Sequence, residues 1–222
     1  MSQRLPSIHL RRSKALAQAV SAGAHRDPNR PAVSEEEAAA RERDDHQHAE
    51  LVRVAAYAGL RRGELVALRW RDVDFVGQKL IVRRALSGET EVRSTKSRVA
   101  REVPLPAQAA AALQRLRHRG EFIGLDDYVF ANRFGRRLDP SALRRRYERA
   151  RDAAGLEPLR FDDLRHTYGS LLVAGGIDLP SVKAAMGHAR ISTTERYLHA
   201  RRAGELADRF ARALGGWVAA AA

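Results

Sequence analysis

The chain has 222 residues, 44% of them hydrophobic, 6% aromatic and 30% charged, the composition of one globular domain with at most a small second lobe, which argues against a fibre or a disordered chain. Forty Lys plus Arg against 27 Asp plus Glu give a formal charge of +13, which favours a polyanionic partner, nucleic acid first, through counterion release. Cysteine is absent, excluding disulfides, thiolate catalysis and thiolate metal sites and fitting a reducing cytoplasm; no stretch nears the roughly 20 apolar residues that cross a bilayer, and Met1 to Arg12 lacks a signal-peptide core, so neither export nor membrane insertion is expected.

Residues 7–22 have helical spacing, with Leu10, Leu16 and Val20 on an apolar side and Gly23 as a stop. Pro28, Pro31 and polar turn residues follow, marking a linker and a boundary near 25–33. Ser34 ahead of Glu35, Glu36 and Glu37 is a capping-box pattern with acidic residues at the positive helix end, so a new domain is expected to start there. Residues 48–58 predict an amphipathic helix ending at Gly59, and 63–70 another after a tight turn, which puts Arg61 at their junction.

From 73 to 105 the period shifts toward two. Val73–Phe75, a turn at Gly77–Gln78, a strand over 79–86 and, after a polar loop, a strand over 101–106 predict a small three-stranded antiparallel sheet. Helices are expected over 107–118, 140–153, 162–174, 179–186 and 201–214, with a short extended piece at 128–132. The fold class is therefore α+β, mainly α, with helices around one small sheet.

Read singly, Arg61 is a solvated helix-end arginine, Lys96 a surface lysine in a charged loop, and Tyr197 a packing tyrosine like Tyr57, Tyr128, Tyr147 and Tyr168. Arg165 sits on an apolar-faced helix, where an unpaired buried charge is very costly, so an anionic partner, phosphate, is expected. Arg144, Arg145, Arg146, Arg149 and Arg151 cover more than one helix face, some as plain solvated charge and others within reach of phosphates. His46 and His48, two apart on a helix, point to different faces and read as surface histidines, not a metal pair.

Four segments change the weight of these single readings. GLRRGEL at 59–65, RSTKSRVAREVPLP at 93–106, DLRHTYGSLLVAGG at 163–176 and MGHARISTTERYLHA at 186–200 resemble, in order and spacing, the motif boxes of the tyrosine recombinases of the phage-integrase type. The resemblance covers about 33–212. It implies that family's catalytic-domain fold over 33–222, with a C-terminal helix at about 201–214 that packs on its own or a neighbouring subunit. Residues 1–32, a short helix and linker, then look like a remnant of the N-terminal core-binding domain that completes a C-shaped clamp in full members.

The resemblance also implies a function: a site-specific recombinase or integrase that cuts and rejoins DNA through a 3′-phosphotyrosyl intermediate, without cofactor, metal or ATP. Its implied partners are double-stranded DNA and further copies of the chain, a tetramer in the synapse and a monomer when free, in a bacterial or phage-derived cytoplasmic, nucleoid-associated setting. By motif match Arg61 and Arg165 are the two active-site arginines, Lys96 the lysine on the turn between the second and third strands, His188 the second histidine position, Tyr197 the nucleophile and Glu64 an acidic support.

Chemistry explains these residue types. A phosphodiester attacked by a phenolate gains charge on its non-bridging oxygens, and prepositioned donors stabilise that charge better than water. Arginine offers a fixed, planar fork for a phosphate edge, and a cationic lysine on a mobile turn can protonate the leaving 5′ oxygen. Tyrosine, with a pKa of about 10, ionises more readily among positive charges. One position departs from the family: three residues before Arg165, where histidine is common as a proton acceptor, stands Asp162. That role cannot be carried over, and His166, part of the usual LRHT run, is not given it by proximity. A lower rate or another proton path is expected, and two other readings stay open: a DNA-binding relic, and a topoisomerase-like enzyme that nicks and reseals.

Overall fold

The computed structural model describes residues 35–88, 90–93, 100–155, 159–195 and 197. Helix α1 (Glu35–Ala58) leads into the short helix α2 (Arg62–Val66) and a 3-10 turn (Trp70–Asp72). Strands β1 (Val73–Asp74), β2 (Lys79–Val82), β3 (Arg84–Ser87), β4 (Thr90–Arg93) and β5 (Arg101–Pro104) follow. Helices α3 (Ala107–Arg117), α4 (Pro140–Ala153), α5 (Phe161–Ala174), α6 (Leu179–Met186) and α7 (Ser192–Glu195) complete the described chain. The class is the expected one, mainly α with a small three-stranded antiparallel sheet. The expected helices over 7–22 and 201–214, the cap at Ser34 and the loop bearing Lys96 lie outside the described residues.

The sheet runs β1-β2-β5, with Leu80 opposite both Val73 and Val103. Leu80, Val82 and Val103 are buried, and Lys79 and Glu102 pair at 2.7 Å on the solvent side, as period-two alternation requires. The strand expected over 79–86 is corrected: it breaks at Arg83, and its second half leaves the sheet to form the β3–β4 hairpin, registered from Arg84↔Arg93 to Ser87↔Thr90. Buried Asp72 supplies the reason. Arg83 Nε lies 2.9 Å from its Oδ1 and Arg84 Nη1 3.0 Å from its Oδ2, and two consecutive residues of a continuous strand point to opposite faces. Only a break turns both to one carboxylate.

Helix α1 runs 24 residues, well beyond the periodic stretch at 48–58. The helix expected over 63–70 instead stops at Val66, and the 128–132 segment is held by isolated bridges, Arg69↔Tyr128 and Ala131↔Arg137. α1 packs against α3 and α5, with Leu51, Val54, Leu113, Leu116, Phe130 and Leu164 fully buried. Within that core Glu50 takes both prongs of Arg115 at 2.8 Å and Arg53 at 2.7 Å. A second, smaller cluster joins Tyr168 and Val173 of α5 to Val182 and Met186 of α6 and to Tyr197. No helix among the described residues is long and apolar enough to cross a membrane.

Candidate active site

The site is built around the end of α6. This helix starts on Asp178, whose side chain accepts from the Ser181 N–H, and ends at Gly187 in the left-handed region, φ 61 and ψ 45, where glycine is favoured. A Cβ at Gly187 would also lie 2.8 Å from Arg101 Cδ and Nε. The last carbonyls of a helix lack intrahelical partners and form its negative end. Three arginines serve them here. Arg61 Nη2 donates to Gly187 O at 2.9 Å, Arg101 Nε to Ala185 O at 3.3 Å, and Arg165 Nη2 to Met186 O; Arg165 Nη1 donates to Gly59 O.

One buried carboxylate locks two of these arginines. Arg61 caps α2, and Glu64, three residues on, accepts from the Arg61 backbone N–H at 2.8 Å and from its Nη1 at 2.9 Å. Arg101 donates both Nη groups to Glu64 at 2.7 Å. Burial alone would raise the Glu64 pKa, but the hydrogen bonds and charge of Arg101, then those of Arg61, outweigh it and hold the carboxyl below its ordinary value. The Arg165 pKa is pushed down to about 10, first by desolvation and then by Arg61, with Glu64 opposing, Arg101 adding and Tyr197 opposing. Arg165 thus stays charged at neutral pH. Three guanidiniums against one carboxylate leave a positive pocket suited to a phosphate edge.

Tyr197 lies against this pocket. Its N–H donates to Thr194 O at 3.0 Å, and its side chain is buried. Gly169 of α5 makes room for the ring: a Cβ there would fall 2.9 Å from Tyr197 Cε2 and Cζ and 2.8 Å from Met186 Sδ. The His188 ring lies nearly parallel to that of Tyr197, 19° apart with centroids at 6.3 Å, and its Nδ1 is 3.0 Å from Thr194 Oγ1. On the other side His166 Nδ1 is 3.0 Å from the Tyr197 hydroxyl oxygen.

Of the five residues expected from the sequence, Arg61, Arg165, His188 and Tyr197 come together in one neighbourhood, and Lys96 lies outside the described residues. Among the described residues Arg165 donates to two neutral carbonyls, with Glu64 and Tyr197 in electrostatic range. Asp162 is exposed in the first turn of α5. Burial does not set Tyr197 apart from Tyr147 and Tyr168: all three are core residues. His48 is corrected from a surface histidine to a partly buried one, its pKa lowered to about 4 by desolvation and by Arg146. Among the described residues no group of His, Asp and Glu could hold a metal.

Two members of the site were missed. Arg101 shares the inner face of β5 with Val103, two residues on, and a charge on the inner face of a strand calls for a buried counter-charge. That signal was legible. His166 stands in the LRHT run, whose sequence alone gives it no separate signal. Only the packing of Tyr197 on Gly169, one helical turn away, gives it a role.

The family model described as the phage integrase family matches residues 34–203. A XerC-like tyrosine recombinase of Caldanaerobacter subterraneus subsp. tengcongensis is 31% identical over 180 residues, 69% of this chain and 46% of that protein. The chain spans about half the length of the curated relatives it matches. Among solved structures, XerA recombinase superposes with a TM-score of 0.63 at 23% identity, over 96% of this chain and 65% of that one. XerH recombinase bound to its difH substrate gives 0.62 at 22%, over 88% of this chain and 51% of that one. With the fold, the motif order and the matched span in agreement, the chain belongs to the phage integrase family of tyrosine recombinases.

Proposed function

We propose that this chain carries the catalytic part of a site-specific DNA recombinase or integrase, with Tyr197 as the nucleophile that forms a 3′-phosphotyrosyl bond. The observation that supports this most is that Arg61 and Arg165 hold the last carbonyls of α6 while His188, just beyond them, lies beside the ring of Tyr197. In this reading the two arginines and His188 stabilise charge on the non-bridging oxygens. Lys96 protonates the leaving 5′ oxygen, a role that rests on motif position alone. The phosphotyrosine conserves the energy of the broken linkage, so the 5′ hydroxyl can reverse it without ATP. Double-stranded DNA is the substrate, and assembly into a tetramer on paired sites is part of the proposal, as is a cytoplasmic setting. XerH, a relative in fold, has been solved on its difH DNA substrate.

The test uses a pool of singly nicked DNA duplexes with randomised flanks, which trap a covalent intermediate because the cut fragment diffuses away. A protein–DNA adduct that survives denaturation is expected from the parent chain and not from Tyr197→Phe. Adduct from Tyr197→Phe would refute the nucleophile. No adduct from the parent, with DNA binding intact, would favour the non-cleaving relic, a reading that Asp162 at the usual histidine position keeps in play. Strand exchange between two labelled duplexes then separates recombination from mere nicking and resealing.

A further inference from the structure

We propose that His166 is the group that takes the phenol proton of Tyr197, the role left empty by Asp162; this rests on the reading of Tyr197 as the nucleophile. Three observations converge on it. First, His166 Nδ1 lies 3.0 Å from the Tyr197 hydroxyl oxygen, within the reach required of a general base. Second, the contact is built into the fold. His166 and Gly169 are three apart on α5, one above the other on a single helix face. Gly169 lets the ring of Tyr197 close to 2.9 Å of where a Cβ would stand, and this seats the hydroxyl one turn back, at His166. Third, Asp162, at the position where histidine is usual, is exposed in the first turn of α5.

The step balances. His166, neutral and protonated at Nε2, accepts the hydrogen bond of the Tyr197 hydroxyl at Nδ1. As the phenol oxygen attacks phosphorus, its O–H bond breaks and the proton passes to Nδ1, giving an imidazolium. The P–O5′ bond breaks, and the leaving oxygen is protonated by a separate acid, the part proposed for Lys96. On resealing, the 5′ hydroxyl attacks phosphorus as its O–H bond breaks and its proton returns to that separate acid, the phenolate leaves, and the imidazolium returns its proton to the phenolate. Asp163, on the same helix, is in electrostatic contact with His166.

The experiment measures the single-turnover rate of adduct formation on the nicked duplex pool, with DNA affinity measured in parallel. His166→Gln, close in shape, is expected to slow adduct formation roughly 10²- to 10⁴-fold at unchanged affinity. His166→Ala should be slowed likewise and regain part of its rate when free imidazole is added, which a packing defect would not do. Asp162→His in the parent should change the rate only a few-fold. An undiminished or faster rate in His166→Gln would overturn the assignment, the faster rate marking the contact as a restraint on Tyr197. So would a loss in His166→Ala that imidazole does not relieve, or a large gain from Asp162→His. If the parent forms no adduct, or Tyr197→Phe still forms one, the nucleophile itself has failed and this proposal falls with it, a pattern distinct from failure at His166 alone.

Discussion

At the scale of single residues, Glu64 has the most to lose. It is buried beneath two arginines and bonded by both. Removing one partner of a buried ion pair leaves the other charge uncompensated and typically costs about 3–5 kcal/mol. Glu64→Gln, which removes charge and keeps shape, should therefore destabilise the chain strongly at neutral pH. Its folded pKa is held below the ordinary 4.5, so its contribution is fully present above about pH 4.5 and is lost as pH falls through the folded value. In urea titrations the stability gap between parent and Glu64→Gln should be widest near neutrality and narrow in acid. A gap that stays constant to about pH 3 would show that shape, not charge, is what Glu64 supplies. Motif order in the sequence revealed Arg61, Glu64, Arg165, His188 and Tyr197 as a set. It could not reveal that Glu64 answers first to Arg101, because that contact spans 37 positions and depends on which face of β5 turns inward.

At the scale of elements, legibility followed local chemistry. α4 and α6 form where the sequence placed them. Each begins on an aspartate cap followed by a proline in the first turn, signals carried within a few residues. The strand break at Arg83 and the continuity of α1 from the capping pattern at Ser34 into the helix over 48–58 were not legible, because both depend on distant partners. The polar start of α1 is tied to α4, where Arg146 pairs with Asp44 and Asp45. This seam has a pH signature. His48, on the same stretch of α1, has its pKa lowered to about 4 by desolvation and then by Arg146, against an ordinary 6.5. Between those values the unfolded chain binds a proton that the folded chain refuses. Stability from His48 is thus present above about pH 6.5 and is lost as pH falls toward 4. Thermal melts of His48→Leu should fall less steeply than the parent across that window, and parallel curves would dismiss the partly buried, neutral histidine.

At the scale of the whole molecule, the charge of +13 has to be divided between what holds the fold and what is left for the DNA proposed as its partner. Glu50, Glu64 and Asp72 each engage two arginines inside the protein, so six of the 40 basic side chains serve the fold. On α4 the division runs within one helix. Arg146 is bound to Asp44 and Asp45, and Arg151 donates to Asp152 and to Leu159 O. Arg144, Arg145 and Arg149 are exposed, the first two standing 3.9 Å from Glu148 and Asp139, and at 100° per residue these three fall within an arc of about 140°. That arc is the part of α4 able to meet phosphates. Each phosphate neutralised contributes about 0.9 to the slope of log affinity against log salt. Replacing all three with glutamine should therefore flatten that slope by up to about 2.7, read by fluorescence anisotropy on a mixed-sequence duplex across a salt series. Arg146→Gln should leave the slope alone and lower the melting temperature. An unchanged slope in the triple variant would turn this face of α4 away from DNA and leave the excess charge to be sought elsewhere on the surface.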